Sequence, residues 1–143
     1  MTGDPILTLS ETRDPAAETV VTDGLAAFNR EKFGRVDSRT LDVLVRDDKS
    51  GEVVGGLLGH SSLGLFFLDL FYLPEELRRG GMGSRIIRLA EDEARRRGCT
   101  QAFVYTVTFQ APGFYERHGY RQFGEIACPP DGATRIFLTK PLD

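Results

Sequence analysis

The 143-residue chain has no tryptophan, two cysteines, two methionines and two histidines. A pair of cysteines, Cys99 and Cys128, builds neither a disulfide framework nor a cluster with metal-ligand spacing, which excludes the secreted-knot and structural-zinc classes. Long apolar runs are lacking as well. The most apolar tract, 63–73, is too short to span a bilayer and contains Asp69, which excludes a membrane span. The opening Met1-Thr2-Gly3-Asp4-Pro5 has no basic stretch followed by an apolar one, so no signal peptide is expected, and a cytoplasmic protein with reduced thiols is. Nor is there an excess of positive charge. Lys and Arg number 18 against 21 Asp and Glu, a net charge of −3, which makes a poor general binder of nucleic acid.

What is present suits one folded domain over 1–143, with 41% hydrophobic and 27% charged residues. Ile6 to Ser10 alternates weakly and reads as a first strand. Apolar residues Val20, Val21, Leu25, Phe28 and Phe33 predict a helix over 16–33, with a break near Asp23-Gly24 and a stop at Gly34. Segments 41–46 and 52–59 flank a turn-rich Asp47–Gly51 and read as a hairpin. The near-continuous apolar run 65–73 predicts a strand covered on both faces, ended by Pro74. A helix over 83–98 follows. Its apolar stripe is Met82, Ile86, Leu89, Ala90 and Ala94, and Arg88, Glu91, Asp92, Arg95 and Arg96 are read as facing water, paired Glu91–Arg95 and Asp92–Arg96. A buried strand at 102–107, a short helix at 112–118 and two strands at 120–127 and 135–142 complete the chain. Strand 65–73, its helix and strand 102–107 require a parallel pair with a right-handed crossover. The expected fold class is α/β: a mixed, mainly antiparallel sheet with a central parallel strand pair and helices on both faces.

The chemistry points to the turn Arg78-Arg79-Gly80-Gly81-Met82-Gly83-Ser84. Three glycines in four positions remove Cβ atoms where the backbone must bend and let a ligand approach. The helix that follows presents unpaired N–H groups and the positive end of its dipole, a geometry that holds phosphate or diphosphate. Four arginines and no acidic residue lie between Arg78 and Arg88. No lysine follows the glycines, which excludes a Walker A loop, and Ile86 stands where a dinucleotide fingerprint wants a small residue.

Arg78-x-x-Gly81-x-Gly83 resembles the Q/R-x-x-G-x-G/A pyrophosphate signature of the GNAT superfamily of acyl-CoA N-acyltransferases. Thr108-x-x-Ala111-x-x-Phe114-Tyr115-x-x-x-Gly119-Tyr120 is similar to that family's N-x-x-A-x-x-F-Y-x-x-x-G-F pattern, and Phe71-Tyr72-Leu73 occupies its pantetheine-binding strand. The likeness runs from about 65 to 142, with the motifs in family order. It implies that main-chain N–H groups of Arg79, Gly81, Gly83 and Ser84, in the Arg78–Ser84 loop that includes Met82, surround the CoA pyrophosphate. It implies that Phe71 and Leu73 bond the pantetheine amides, that Thr108 and Ala111 border the cofactor, and that Tyr115 lies near its sulfur. It also implies a splay between strands 65–73 and 102–107 that admits CoA. Thr108 replaces the usual asparagine, which weakens or removes that contact.

The resemblance implies an acetyl-CoA-dependent N-acetyltransferase that moves acetyl to a primary amine of a small molecule or peptide by direct attack, with no metal. A non-catalytic acyl-CoA-binding module is the alternative, and a nucleotide-binding fold a third. In the catalytic reading a backbone N–H of strand 65–73 stabilises the oxyanion, and Tyr115, a phenol of ordinary pKa about 10, protonates the leaving thiolate. The base stays open. Asp69, read as a buried carboxylate, either takes the amine proton, directly or through water, or bonds a neighbouring loop. His60 is read as a solvated strand-end residue and His118 as a surface helix-end residue. Glu125 and Asp131 either attract a cationic amine or are turn charges. Cys99 is expected to be a small buried hydrophobe, and neither cysteine has the surroundings of a nucleophile. Sheet edges or the terminal strand are where a homodimer would form.

Overall fold

The structure, a computed structural model, describes residues 3–110, 112–130 and 132–143. They fall into two units, Met1–Val36 and Asp37–Asp143. The first holds helix α1, Pro15–Phe33. Asp14 caps it by accepting from the N–H groups of Ala16 and Ala17, at 3.0 and 3.4 Å. Pro15 sits in the first turn, where its missing N–H costs nothing, and Gly34 ends the helix with φ +93°. The helix is continuous through Asp23-Gly24. Ile6 to Ser10 forms no strand: a weak alternation with no neighbouring strand has no ladder to join.

The second unit is one seven-stranded sheet with two helices. Its elements are β1 (Arg39–Thr40), β2 (Val43–Arg46), β3 (Val53–Ser62), β4 (Leu65–Tyr72), a single 3₁₀ turn (Glu75–Leu77), α2 (Met82–Arg96), β5 (Gln101–Val107), α3 (Pro112–Arg117), β6 (Arg121–Cys128) and β7 (Ala133–Pro141). The strand order is β1-β3-β4-β5-β7-β6, with β2 also paired to β3. Every pairing is antiparallel except β4 with β5, as the strand–helix–strand pattern requires.

The core lies between α2 and one face of the sheet. Ile86, Ile87, Ala90 and Ala94 of α2 are buried against Leu57, Phe66, Leu68, Ala102, Val104 and Leu138. Full burial of a side chain such as Ile87 contributes about 1.5–3 kcal/mol. Leu89, read as part of the stripe, is 56% exposed, and Ile87 takes its place. Strand β4 is covered on both faces only in its first half: Leu70 and Tyr72 are 66% and 59% exposed.

Glu91 does not face water. It lies on the inward side of α2, one turn after Ile87 and one before Ala94, and is 2% exposed. Its carboxylate accepts from the Tyr120 hydroxyl at 2.7 Å and pairs with Lys140 Nζ at 2.8 Å. Asp92 pairs with Arg95 and Arg96 with Glu93, each at 3.0 Å, so the Asp92–Arg96 pair is not made. Burial, followed by the Glu91 charge, pushes the Tyr120 phenol far above its ordinary range. Replacing Tyr120 by Phe would leave one oxygen of a buried carboxylate without its donor. Tyr120→Phe is expected to lower stability by about 2 kcal/mol in urea unfolding; an unchanged midpoint would show that water fills the vacancy.

Candidate active site

β4 and β5 pair in parallel from Leu65↔Gln101 to Leu68↔Val104 and no further, although β4 continues to Tyr72 and β5 to Val107. The separation begins at an irregularity in β4. Leu68 stands opposite Gly59 and Leu70 opposite Leu58, so Asp69 is the extra residue of a β-bulge. Beyond it two cavities open. One, of about 250 Å³, is lined by Asp69, Leu70, Tyr105 and Arg135 among others. The other, of about 510 Å³, is lined by Tyr72, Leu73, Arg78, Phe109, Phe114 and Arg117. Phe71, Thr106, Gln110 and Tyr115 line both and form the throat between them.

The larger cavity ends near the glycine-rich turn. Gly81 is the N-cap of α2, with φ +81°, a conformation strained for any residue with a Cβ. Where α1 has Asp14, α2 has no capping side chain and no acidic residue in its first turn. Its leading N–H groups therefore keep their capacity to bind an anion. Ser84 Oγ lies 3.0 Å from His118 Nε2, which ties the first turn of α2 to the end of α3. Gly83 is needed for the same contact: a Cβ there would stand 3.0 Å from Phe114 Cε1. Arg78 folds back, donating from Nε to the Leu73 carbonyl at 2.8 Å.

An acetyltransferase (GNAT) family model matches residues 8–120. The chain belongs to this family. It is 36% identical over 132 residues to an acetyltransferase of Agrobacterium fabrum, covering 92% of this chain and 96% of that one. It is 44% identical over 93 residues to the blasticidin-S acetyltransferase of Streptomyces morookaense, covering 64% and 68%. The fold matches the crystal structure of a protein from Agrobacterium tumefaciens assigned as an acetyltransferase, with a TM-score of 0.88, 34% identity and coverage of 96% and 99%.

On this GNAT framework Phe71, Leu73, Arg78 and Tyr115 line the cavities. Arg79, Gly81, Met82, Gly83 and Ser84 occupy the turn and helix head, where Met82 also packs against the core. The Leu73 carbonyl accepts from Arg78 Nε. Thr108 lines neither cavity. Its N–H donates to the Thr134 carbonyl at 3.0 Å, and its hydroxyl accepts from the Thr134 N–H at 3.3 Å. Ala111 and Asp131 lie outside the described residues. Glu125 is exposed beside Gln122 and lines neither cavity.

Both histidines are more engaged than their sequence positions suggest. His60 lies within β3, not at its end, with Nδ1 2.7 Å from Asp69 Oδ2 and its ring stacked 4.4 Å from Phe67. Asp69 is not buried; its side chain is 47% exposed. The bulge turns it to the cavity instead of into the core. His118 is partly buried against Phe114 and Ser84, and burial lowers its pKa. Cys99 is buried, which pushes its thiol up and away from the nucleophilic thiolate form.

Tyr115 is 8% exposed, and burial pushes its phenol up to about 12. The phenol therefore keeps its proton at neutral pH and acts as a donor, but a weaker acid than a free phenol. Full proton transfer to a free thiolate, whose acid has a pKa of about 8.5, is uphill by roughly 5 kcal/mol. The group suits hydrogen bonding to a developing thiolate, with its proton passed on only as another returns. The raised value also contributes stability, present in full below the unfolded pKa of about 10 and lost as pH rises towards 12. In a phenolate absorbance titration, the difference between wild type and Tyr115→Phe should rise only near pH 12. A difference already complete at about pH 10, the ordinary tyrosine value, would contradict the burial argument.

Proposed function

We propose that this chain transfers acetyl from acetyl-CoA to a primary amine of a small molecule, with the thioester placed at the throat between the two cavities. The observation that carries this reading is the parallel pair that opens after Leu68 and Val104 directly beside an uncapped helix head. The two features are what an elongated ligand with an anionic end and an amide-bearing arm requires. The larger cavity would take the arm, with main-chain groups of Phe71 and Leu73 along one wall and Arg78 at its outer end. The N–H groups of Gly81, Met82, Gly83 and Ser84 would hold the diphosphate, and Arg79 and Arg85 would add charge around it.

The smaller cavity would hold the acceptor. Asp69 reaches it on the bulge and is bonded to His60, so the pair offers a place for the proton that an ammonium must lose before it attacks. Holding amine and acetyl on two sides of one throat supplies orientation, the larger part of such a rate enhancement. Tyr115, on the throat, would bond the departing sulfur. The similarity to a blasticidin-S acetyltransferase supports a small-molecule acceptor over a protein one.

Calorimetry with CoA tests the cofactor assignment: saturable heat is expected, and flat injections at millimolar dose would end it. An acetyl-CoA consumption assay over polyamines, amino acids, aminoglycosides, nucleoside antibiotics and peptides tests the acceptor class. With the best acceptor found, Tyr115→Phe is expected to lower kcat about a hundredfold while CoA affinity stays the same. Unchanged turnover in that variant would remove the acid role.

A further inference from the structure

We infer that Gln110 is a catalytic residue of this site, its side-chain N–H₂ donating a hydrogen bond to the carbonyl oxygen of the acetyl thioester. The inference rests on the proposed function and adds to it a residue outside the matched motif positions.

Gln110 is one of the four residues that line both cavities, and the only one of them with a side-chain amide. Its orientation is fixed by its neighbours. The Val107 N–H lies 3.4 Å from Oε1, and a backbone N–H can only donate, so the oxygen end of the amide faces it. The Thr106 hydroxyl donates to the same oxygen at 2.8 Å, and Thr106 is itself 4% exposed. The oxygen is thereby engaged on the β5 side. The N–H₂ end has no hydrogen-bond partner among the described residues, and Gln110, an exposed residue, lines the throat where the two substrates would meet.

The position that the motif singles out is not placed for this role: Thr108 lines neither cavity, its N–H donates to the Thr134 carbonyl, and its hydroxyl accepts from the Thr134 N–H. Two residues further on, Gln110 brings the chain's amide donor back to the cavity through a turn closed by its own N–H on the Val107 carbonyl at 2.9 Å.

The chemistry needs a donor of this kind. As the amine nitrogen bonds to the acyl carbon, the C=O π pair moves onto oxygen. When the C–S bond breaks, that pair returns and the sulfur leaves with the bonding electrons. Gln110 transfers no proton in either step. A neutral donor held in place beforehand stabilises the oxyanion more than the starting carbonyl. Since the ground-state carbonyl also accepts this bond, the contact is visible in binding without any acceptor amine.

Calorimetry on wild type, Gln110→Ala, Gln110→Glu and Thr108→Val, with CoA and acetyl-CoA as separate titrants, decides the matter. Gln110→Ala is expected to bind CoA as wild type does and acetyl-CoA about fivefold more weakly, the value of one neutral hydrogen bond. Gln110→Glu retains an oxygen for Val107 and Thr106 but puts a second acceptor where the donor stood, and should lose at least as much. Thr108→Val should bind both ligands as wild type does. If Gln110→Ala binds acetyl-CoA normally, or weakens both ligands alike, the inference falls and the cofactor assignment stands. Wild type that binds neither ligand overturns both.

Discussion

The site depends on the divergence of β4 from β5. While two strands stay paired, their facing N–H and C=O groups satisfy one another and the gap between them admits nothing. After Leu68 and Val104 that exchange stops, although both strands continue. The backbone left on the facing edges must bond to water or to a ligand that itself carries amides. The bulge at Asp69 marks where the divergence begins, and it also brings a carboxylate to the opening. One local irregularity thus creates the passage and puts an ionisable group beside it.

Charge is distributed to suit. The chain is acidic overall, yet the stretch from Arg78 to Arg88, which carries the glycine-rich turn and the head of α2, holds four arginines and no carboxylate. Glu91, further along the same helix, would weaken this field if its charge stood alone. Lys140 neutralises it and Tyr120 bonds it. The helix head keeps its unopposed N–H groups because no side chain caps it, which costs the isolated helix stability and leaves those groups available to an anion.

Much of this architecture is legible in the sequence. Helix α2, the parallel pair around it, both terminal hairpin strands and the glycine turn follow from periodicity, turn chemistry and order. The two family motifs fall on the head of α2 and on α3, where Tyr115 lines both cavities. What escapes is whatever depends on non-local contact. Apolar letters through 65–73 give no sign that Leu70 and Tyr72 turn outward, because the bulge is a property of the β3–β4 register. His60 and Asp69 are nine residues apart and meet only across two antiparallel strands. Gln110 falls between motif positions, and its place between the two cavities is visible only once the turn after β5 is formed. Glu91 is the exception: its spacing from Ile87 and Ala94 already put it on the inward side of α2, a signal overridden by its charge.

The contact between Gly83 and Phe114 has a consequence for how this site can change over generations. Because a methyl group at 83 would press on the Phe114 ring at 3.0 Å, enlarging the one requires trimming or tilting the other. The tilt would carry over to Tyr115, the next residue along α3. The glycine-rich turn and the aromatic stretch, distant in the chain, are therefore tied by one contact, and a graft that imports one from a relative without its counterpart should arrive misaligned.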